Sequence, residues 1–278
     1  MGRTENVEIF KDTESLCKNN SKLKASLENS RQNQRLISED AALGEIDLNK
    51  YEKAAEVVVS KKRSFEAVKA YKDLKVCVHN FASATNPGGG VVNGSTAQEE
   101  CLCRCSGLYF ALNTPGMWDG FYQKHRDAWN PLNNDDIIYT PSVTVFKSDT
   151  AVPQLMPEAE WYDVNIITCA APNLRKKPSN AYNPNNGSGE VKITDQELLA
   201  LHEKRLARIL DVAALENNEV VILGAFGCGA FLNNPSVVAR AAKNVIEKYR
   251  YAFKTIEFAI YCSPQDERNY LTFSKMLG

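Results

Sequence analysis

One stretch of the sequence decides the fold: residues 78–100 read VHNFASATNPGGGVVNGSTAQEE. A strand-like run ends near Phe81, three consecutive glycines follow at positions 88–90, and a helix is predicted to begin at Gln98. Glycines in series cost backbone entropy on folding, but they permit positive φ and let main-chain amides approach a ligand closely. The stretch therefore predicts a strand, a loop suited to a phosphate or a ribose, and a helix start. A plain turn is the alternative for the glycines alone.

A second strand opens into a glycine turn further along the chain. Residues 220–223 are the continuous apolar run VVIL, and the loop GAFGCGAF follows at 224–231, ahead of a helix near Pro235. Loop amides ahead of a helix N-terminus form a site for anions, so two such loops on neighbouring strands are suited to a diphosphate. The glycine spacing fits neither the dinucleotide-binding fingerprint nor the P-loop. Hydride transfer with NAD and hydrolysis of ATP are therefore disfavoured.

Strand-like and helical runs alternate around these two loops. Strands are predicted at 56–60, 75–81, 137–146, 161–170, 219–225 and 255–261, and helices at 64–70, 98–112, 194–215 and 235–251. Such interleaving implies an α/β domain whose sheet is covered by helices on both faces. Ligands of these sheets bind beyond the carboxyl ends of the strands, where both glycine loops lie.

The N-terminal region differs in character from the rest. Residues 13–51 are polar and charged, with Leu16, Leu23 and Leu27 at helical spacings and no strand-like alternation. We predict that residues 1–52 form a helical accessory segment packed on a domain of residues 53–278.

Composition excludes several function classes. The 278 residues are 44% hydrophobic and 24% charged, which argues against extended disorder, collagen and a simple coiled coil. Lys plus Arg total 33 against 34 Asp plus Glu, so no global field attracts nucleic acid or an anionic membrane. The eight cysteines are dispersed, the N-terminus lacks a signal-peptide pattern, and no apolar run is long enough to span a bilayer. A reducing compartment, cytoplasmic or nuclear, is expected.

Two adjacent acids, Glu99 and Glu100, begin the helix beside the first glycine loop. Acids favour helix N-termini by about 0.3 to 1 kcal/mol, which is a sufficient structural explanation when taken alone. Beside a bound diphosphate, however, a carboxylate is repelled and should persist only if its charge or proton is used. Adjacent helical residues diverge by about 100°, so the two acids cannot share one role. A glutamate near the sugar of a nucleotide sugar can act as a general acid, provided that burial and neighbouring negative charges raise its pKa.

Cysteines and cations offer weaker signals. Spacing of Cys101, Cys103 and Cys105 invites a zinc site, but burial of Cys101 and Cys105 on one helix face is favoured, and no metal or cofactor is expected. In the second loop, Cys228 is interpreted as a small residue that permits close phosphate approach rather than as a nucleophile. The long polar loop at 173–190 carries Arg175, Lys176 and Lys177, for which a solvated cluster is favoured over phosphate contact.

Taken together, the motifs resemble those of a known enzyme family. The GGG of 88–90 is followed after seven residues by the QEE of 98–100, with NFAS upstream and GCGAF downstream. This combination is similar to the signature of poly(ADP-ribose) glycohydrolases of the bacterial and fungal type. Further similarity at 139–146 and 170–172 extends the resemblance over most of the chain. It implies a macrodomain-like α/β/α layered fold, with a mixed sheet and an N-terminal helical accessory segment.

The resemblance implies that the protein hydrolyses the ribose–ribose O-glycosidic bonds of poly(ADP-ribose) without a metal. It also implies that the enzyme trims the polymer from its chain ends and releases ADP-ribose. Glu100 corresponds to the general acid, and Glu99 to the carboxylate that holds the ribose hydroxyls. Phe231 corresponds to the residue that orients the distal ribose, although it is equally suited to capping the core. The expected ligand-binding residues are Asn86, Gly88, Gly89, Gly90, Gln98, Gly227, Cys228, Gly229, Ala230 and Phe231.

Partners follow from the same resemblance. The expected substrates are poly(ADP-ribose) or an ADP-ribosylated protein, and the expected product is ADP-ribose. No membrane association and no sequence-specific nucleic-acid binding are expected, and the chain is expected to be a monomer. Two alternatives remain: a macrodomain that only binds ADP-ribose, and a hydrolase of mono-ADP-ribosyl links. The acid pair argues against a pure reader, whereas the sequence separates the two hydrolases poorly.

Overall fold

The computed structural model describes residues 2–263 and 265–278. Its centre is a seven-stranded sheet of order β1-β4-β5-β3-β6-β7-β2. The strands are β1 (Arg35–Ile37), β2 (Glu56–Ser60), β3 (Val76–Ala82), β4 (Ile137–Val145), β5 (Tyr162–Ala170), β6 (Val220–Leu223) and β7 (Thr255–Ala259). Strand β4 runs antiparallel to both of its neighbours, and the other pairs are parallel.

Ten α-helices lie in the described residues, with short 3₁₀ turns and one π-helical turn between them. They are α1 (Arg3–Asn19), α2 (Ser21–Gln32), α3 (Ser64–Val68), α4 (Gln98–Cys105), α5 (Leu108–Leu112), α6 (Pro115–Met117), α7 (Gln123–Ala128), α8 (Asp195–Leu215), α9 (Pro235–Ile246) and α10 (Arg268–Leu277). Helices α8, α9 and α10 pack on one face of the sheet, and α3, α4 and α5 pack on the other. The predicted three-layer arrangement with an N-terminal helical segment is confirmed.

The central strands are apolar on both faces because each face meets helices. In β3, Val78 points into the core on the α4 side, while Cys77 points into the core on the α8 side. Alternate residues of a strand face opposite sides, so such a strand is buried on both faces, including its polar residues His79 and Asn80. Strands β3 and β6 are parallel neighbours, with Val78 opposite Ile222. Their carboxyl ends, and the two glycine loops that follow them, therefore lie side by side.

The N-terminal segment is joined to the sheet and to the first glycine loop. Helices α1 and α2 end at Gln32, and β1 then pairs with β4, Arg35 opposite Tyr139. The interpretation of 13–51 as helices is right as far as Gln32 and wrong beyond it, where β1 was missed because a three-residue strand is too short to show alternation. In α1, the side chain of Asn6 donates from Nδ2 to the Gly94 carbonyl at 3.0 Å. The division at residue 52 stays a prediction.

The predicted helix at 98–112 is broken into two. Helix α4 ends at Cys105 because Ser106 adopts an extended conformation and bridges to Val145 of β4. The rotation of α4 also differs from the prediction: Cys103 and Cys105 are buried, whereas Cys101 is only half-buried and lines a cavity. Burial of Cys101 and Cys105 on one face is therefore wrong, since the sheet contact of α4 is made through Leu102, Cys103 and Cys105.

Candidate active site

A cavity of about 340 Å³ opens at the carboxyl edge of the sheet. Its walls come from the ends of β3 and β7, the loop after β6, the N-terminus of α4 and the loop that follows β5. Both glycine loops and both acids of the sequence motif contribute to it. This is the position at which a mixed α/β sheet binds its ligand.

The first glycine loop is shaped by contact with the two acids. Gly88 and Gly89 have positive φ, +64° and +56°, which side chains rarely adopt. A Cβ on Gly89 would lie 2.6 Å from Oε1 of Glu100 and 3.2 Å from Oε2 of Glu99. Asn86 closes the turn, because its Nδ2 donates to the Gly89 carbonyl. Glycine at 89 is thus required both by backbone conformation and by space for the carboxylates.

Glu100 is buried with one oxygen held and the other free. Its Oε1 accepts a hydrogen bond from the Gly90 amide at 2.9 Å, while its Oε2 has no hydrogen-bond partner among the described residues. The residue is 7% exposed and lines the cavity. Burial raises the pKa of this carboxyl above its ordinary value, which favours the protonated form. A buried carboxyl with a raised pKa and an unused oxygen is suited to donate a proton to a bound molecule.

Glu99 has a different set of partners. Its Oε2 accepts from the Ser83 amide at 2.8 Å, and its Oε1 accepts from Nδ2 of Asn80 at 3.3 Å. Burial, together with the charge of Glu100, raises the pKa of Glu99 to about 8. Both carboxyls thus shift in the direction that general-acid chemistry requires. The two acids make separate contacts, in line with the expectation that they cannot do one job.

Gln98 fastens helix α4 to the end of strand β3. Its Oε1 accepts from the Phe81 amide at 2.9 Å, and its Nε2 donates to the His79 carbonyl at 2.8 Å and to Oγ of Ser64 at 3.0 Å. The amide group is therefore engaged by protein at both ends although the residue lines the cavity. These contacts fix the start of α4, from which Glu99 and Glu100 project, and the predicted role of Gln98 in ligand binding stays a prediction.

The second glycine loop is held by a residue that the sequence did not single out. Asn233 donates from Nδ2 to the carbonyls of Pro172 (2.7 Å), Gly227 (3.1 Å) and Phe231 (3.2 Å), and its Oδ1 lies 2.8 Å from Nε2 of His202. Gly227 has φ +76°, and a Cβ there would lie 2.8 Å from both the Ala171 Cβ and the Asn233 Nδ2. This packing fixes the backbone of the loop before any ligand arrives.

Three successive amides of this loop are free to bind an anion. The backbone amides of Gly229, Ala230 and Phe231 have no hydrogen-bond acceptor among the described residues, and all three residues line the cavity. Consecutive amides with free N–H groups form a nest for phosphate oxygens. Cys228 is turned away from the cavity, and burial raises the pKa of its thiol. A raised thiol pKa does not suit a nucleophile, in keeping with the interpretation of Cys228 as a small loop residue.

Comparison with known proteins identifies the family. A family model described as "Microbial-type PARG, catalytic domain" matches residues 4–148, just over half of the chain. The chain belongs to this family. A comparison with curated protein sequences gave no significant match. The resemblance to microbial poly(ADP-ribose) glycohydrolases (PARG) is confirmed.

Solved PARG structures share the fold over nearly the whole chain. The enzyme from Thermomonospora curvata bound to the inhibitor ADP-HPD is 26% identical, with a TM-score of 0.82 and coverage of 98% of this chain and 99% of that one. The enzyme from Deinococcus radiodurans in complex with ADP-ribose is 31% identical, with a TM-score of 0.73 and coverage of 90% and 96%. The macrodomain-like fold class is confirmed by these matches.

The structure places most of the predicted site residues of this PARG-family chain around the cavity. Those that line it are Gly89, Gln98, Glu99, Glu100, Gly227, Gly229, Ala230 and Phe231. Asn86, Gly88, Gly90 and Cys228 lie behind this lining and shape the two loops. Their predicted roles in binding stay predictions.

Several cavity residues of this PARG family member were missed. Tyr182 and Asn183 come from the polar loop, and Oγ of Ser83 donates to Oδ1 of Asn183 at 2.6 Å. Arg63, at the far end, was missed as well: its guanidinium carbon lies 3.8 Å from the ring centroid of Tyr261, another residue of the cavity lining. The unusual length of the polar loop was the one signal that could have placed Tyr182.

The described part of this PARG-family chain contains neither a cluster of metal ligands nor a membrane-spanning helix. Residues 2–263 and 265–278 contain no group of three or more His, Cys, Asp or Glu side chains placed to hold a metal ion. Within the same residues, no helix has both the length and the apolar character needed to cross a lipid bilayer.

Proposed function

We propose that this chain hydrolyses the ribose–ribose O-glycosidic bonds of poly(ADP-ribose), working from chain ends and releasing ADP-ribose, with Glu100 as the general acid. The observation that carries the proposal is the free Oε2 of a buried Glu100, at the wall of a cavity that both glycine loops border. A reader domain would have no use for a carboxyl with a raised pKa at this point.

In the proposed ground state, the free amides of 229–231 hold the diphosphate of the terminal unit. Phe231 lies at the end of this loop and lines the cavity, so its ring can pack against the distal ribose. Glu99 holds the ribose hydroxyls through its carboxyl group. These contacts place the glycosidic oxygen next to Oε2 of Glu100.

The reaction then needs one proton transfer in each direction. Glu100 gives its proton to the departing 2′-oxygen while the glycosidic C–O bond breaks, and the sugar acquires oxocarbenium-like positive charge. The Glu100 carboxylate, now negative, stabilises that charge. A water molecule attacks the anomeric carbon and returns a proton to Glu100. One water is consumed, and the products are ADP-ribose and a polymer one unit shorter with a free 2′-hydroxyl.

The finer partners of the site are part of the same proposal. ADP-ribosylated protein carrying a polymer is the proposed substrate, and a monomer is the proposed active form. Eight free thiols support a reducing compartment, cytoplasmic or nuclear. Cell fractionation would test the compartment: a tagged chain found among secreted proteins contradicts it.

Release of ADP-ribose from automodified polymer tests the activity. We expect release by the purified protein with and without a metal chelator, since the proposed steps use only carboxyl groups and water. Glu100→Gln should slow release by about 10²- to 10⁴-fold, the usual contribution of a general acid. Calorimetry should show that this variant still binds ADP-ribose, because the glycine loops are unchanged.

Two outcomes would contradict the proposal. Wild-type release by Glu100→Gln would remove Glu100 from the role of acid. Release only from mono-modified protein, with none from polymer, would reassign the chain to mono-ADP-ribosyl links. Glu99→Gln is the matched control, since it changes the neighbouring carboxyl and should weaken ADP-ribose binding as well as turnover.

A further inference from the structure

The polar loop after strand β5 spans the cavity from one glycine loop to the other. Near its start, the Leu174 amide donates to the Phe231 carbonyl of the second loop at 3.0 Å. Eight residues on, Tyr182 and Asn183 line the cavity, and Asn183 accepts from Ser83 beside the first loop. A Cβ on Gly90, whose amide binds Glu100, would lie 2.9 Å from Cδ1 of Tyr182, so this loop is a wall of the cavity on the side of Glu100. A polymer whose terminal unit fills the cavity must continue past it.

Asparagine side chains and one backbone bond hold this loop against the segment that follows α7. The Asn173 amide donates to the Pro131 carbonyl at 2.7 Å. Asn173 also donates from Nδ2 to Oδ1 of Asn186 at 2.7 Å, and Asn186 donates from Nδ2 to Oδ1 of Asn133 at 2.8 Å. Asn133, Asn173 and Asn186 are all buried. The two segments thus form one continuous surface outside the cavity.

That surface carries cations and an exposed aromatic ring. Arg175, Lys176 and Lys177 begin two residues after Asn173, and they form no ion pair with any described residue. On the other segment, Trp129 has φ +50° and is 51% exposed. Trp129 and Arg175 each lie two residues from the Asn173–Pro131 bond. Because a residue spans at most about 3.6 Å, they lie within about 20 Å of each other, the reach of one extended nucleotide-sugar unit.

We propose that Arg175, Lys176, Lys177 and Trp129 form a second subsite, which binds the ADP-ribose unit on the leaving side of the scissile bond. The cations receive its diphosphate, and the indole of Trp129 stacks on its adenine. Proteins that hold single-stranded nucleic acid combine cations along the backbone with aromatic platforms for the bases in the same way. The inference rests on the proposed function, because only a polymer substrate has a unit at this position.

The test compares ligands of one and two ADP-ribose units in the non-cleaving Glu100→Gln background. Calorimetry gives the dissociation constants of ADP-ribose and of the ADP-ribose dimer. The ADP-ribose Kd divided by the dimer Kd measures the contribution of the second subsite. Replacing the three cations by Gln should reduce this ratio about tenfold, as expected for three exposed charge contacts. The dependence of log Kd for the dimer on log salt should become shallower by about 1.4, for two phosphate charges.

Trp129 is tested separately from the cations. Trp129→Ala should reduce the ratio of the ADP-ribose Kd to the dimer Kd at least about fivefold, as loss of one base stack does, and Trp129→Phe should keep most of it. The matched controls lie near the amino ends of the strands: Lys53, Lys69 and Lys72 replaced by Gln, and Tyr251→Ala. These controls should leave the ratio unchanged.

An unchanged ratio in the cation variant or in Trp129→Ala would overturn the subsite. Equal weakening of monomer and dimer would also overturn it, since these residues would then act on the cavity itself. Failure of the proposed function has a different signature. The wild-type protein would release no ADP-ribose from polymer, whatever the binding ratio in the variants.

Discussion

The glycine at position 89 gives the sharpest test of how the loop holds the acid. Replacing it by alanine places a Cβ 2.6 Å from Oε1 of Glu100, where ordinary contacts begin at about 3.4 Å. The carboxylate must therefore retreat by roughly 0.8 Å, or the loop must move by a similar amount. Either movement breaks the 2.9 Å hydrogen bond from the Gly90 amide to the same oxygen. The proton donor is then misplaced in an otherwise intact cavity.

Two separate magnitudes follow for Gly89→Ala. The left-handed conformation at φ +56° should cost an alanine about 1 to 2 kcal/mol of folding free energy. Displacement of a catalytic group by about 1 Å can cost about 100-fold in rate, so kcat for ADP-ribose release should fall by about that factor. Binding of ADP-ribose should change much less, because the diphosphate loop is on another strand.

The assay measures kcat on polymer, Kd for ADP-ribose and the thermal midpoint of each variant. Gly116→Ala is the matched control: Gly116 lies outside the cavity lining, its Cβ would meet nothing within 4 Å and its φ is not in the left-handed region, so folding and kcat should stay close to wild type. A folded Gly89→Ala protein with wild-type kcat would refute the reasoning, since Glu100 would then not depend on this loop for its position.

Three further outcomes follow from the same contacts. Asn233→Ala removes the donor to three loop carbonyls, so it should destabilise the fold by about 1 to 3 kcal/mol and weaken ADP-ribose binding. The control Asn234→Ala loses only a helix cap, so it should cost about 1 kcal/mol of stability and leave binding unchanged. Chemical unfolding measures the stability of both variants, and calorimetry measures their binding. The folded state raises the pKa of Glu99 to about 8, so the free energy of unfolding should fall as pH rises from about 4.5 through 8, by at most about 1.4 kcal/mol per pH unit. In urea titrations at several pH values, Glu99→Gln should flatten this fall. Burial lowers the pKa of His202 to about 4, so the free energy of unfolding should also fall as pH falls from about 6.5 to 4. If His202→Gln lost as much stability over this pH range as the wild type, His202 would not be the cause.

The sheet could be predicted closely because its central strands are buried on both faces. The runs predicted at 75–81, 137–146 and 161–170 match the observed strands within a residue at each end. Interactions distant in sequence account for what was missed. Strand β1 exists only through its pairing with β4, and helix α4 stops at Cys105 because Ser106 bridges to Val145. Neither partner is visible from local periodicity.

In the candidate site, too, the residues with a local sequence signal could be predicted, and those defined by distant contacts could not. Glycines and adjacent acids are rare enough in combination to be recognised, and Gly89 proves to be shaped around Glu99 and Glu100. Asn233 and Tyr182 carry no such mark, because any polar residue fits a loop until its partners are known. What makes Asn233 central is a set of three carbonyls brought together by two separate loops.

The pairing of β1 with β4 has a consequence for synthesis of the chain. Arg35 lies opposite Tyr139, so the partner of this edge strand is translated more than 100 residues after it. At about 5 to 20 residues per second, the N-terminal helices wait about 5 to 20 seconds on the ribosome before their docking surface exists. Until they dock, β4 presents an unpaired edge, the feature that promotes association between chains. The first segment to emerge therefore waits for its partner strand, and once docked it covers the edge of β4 that would otherwise meet neighbouring chains.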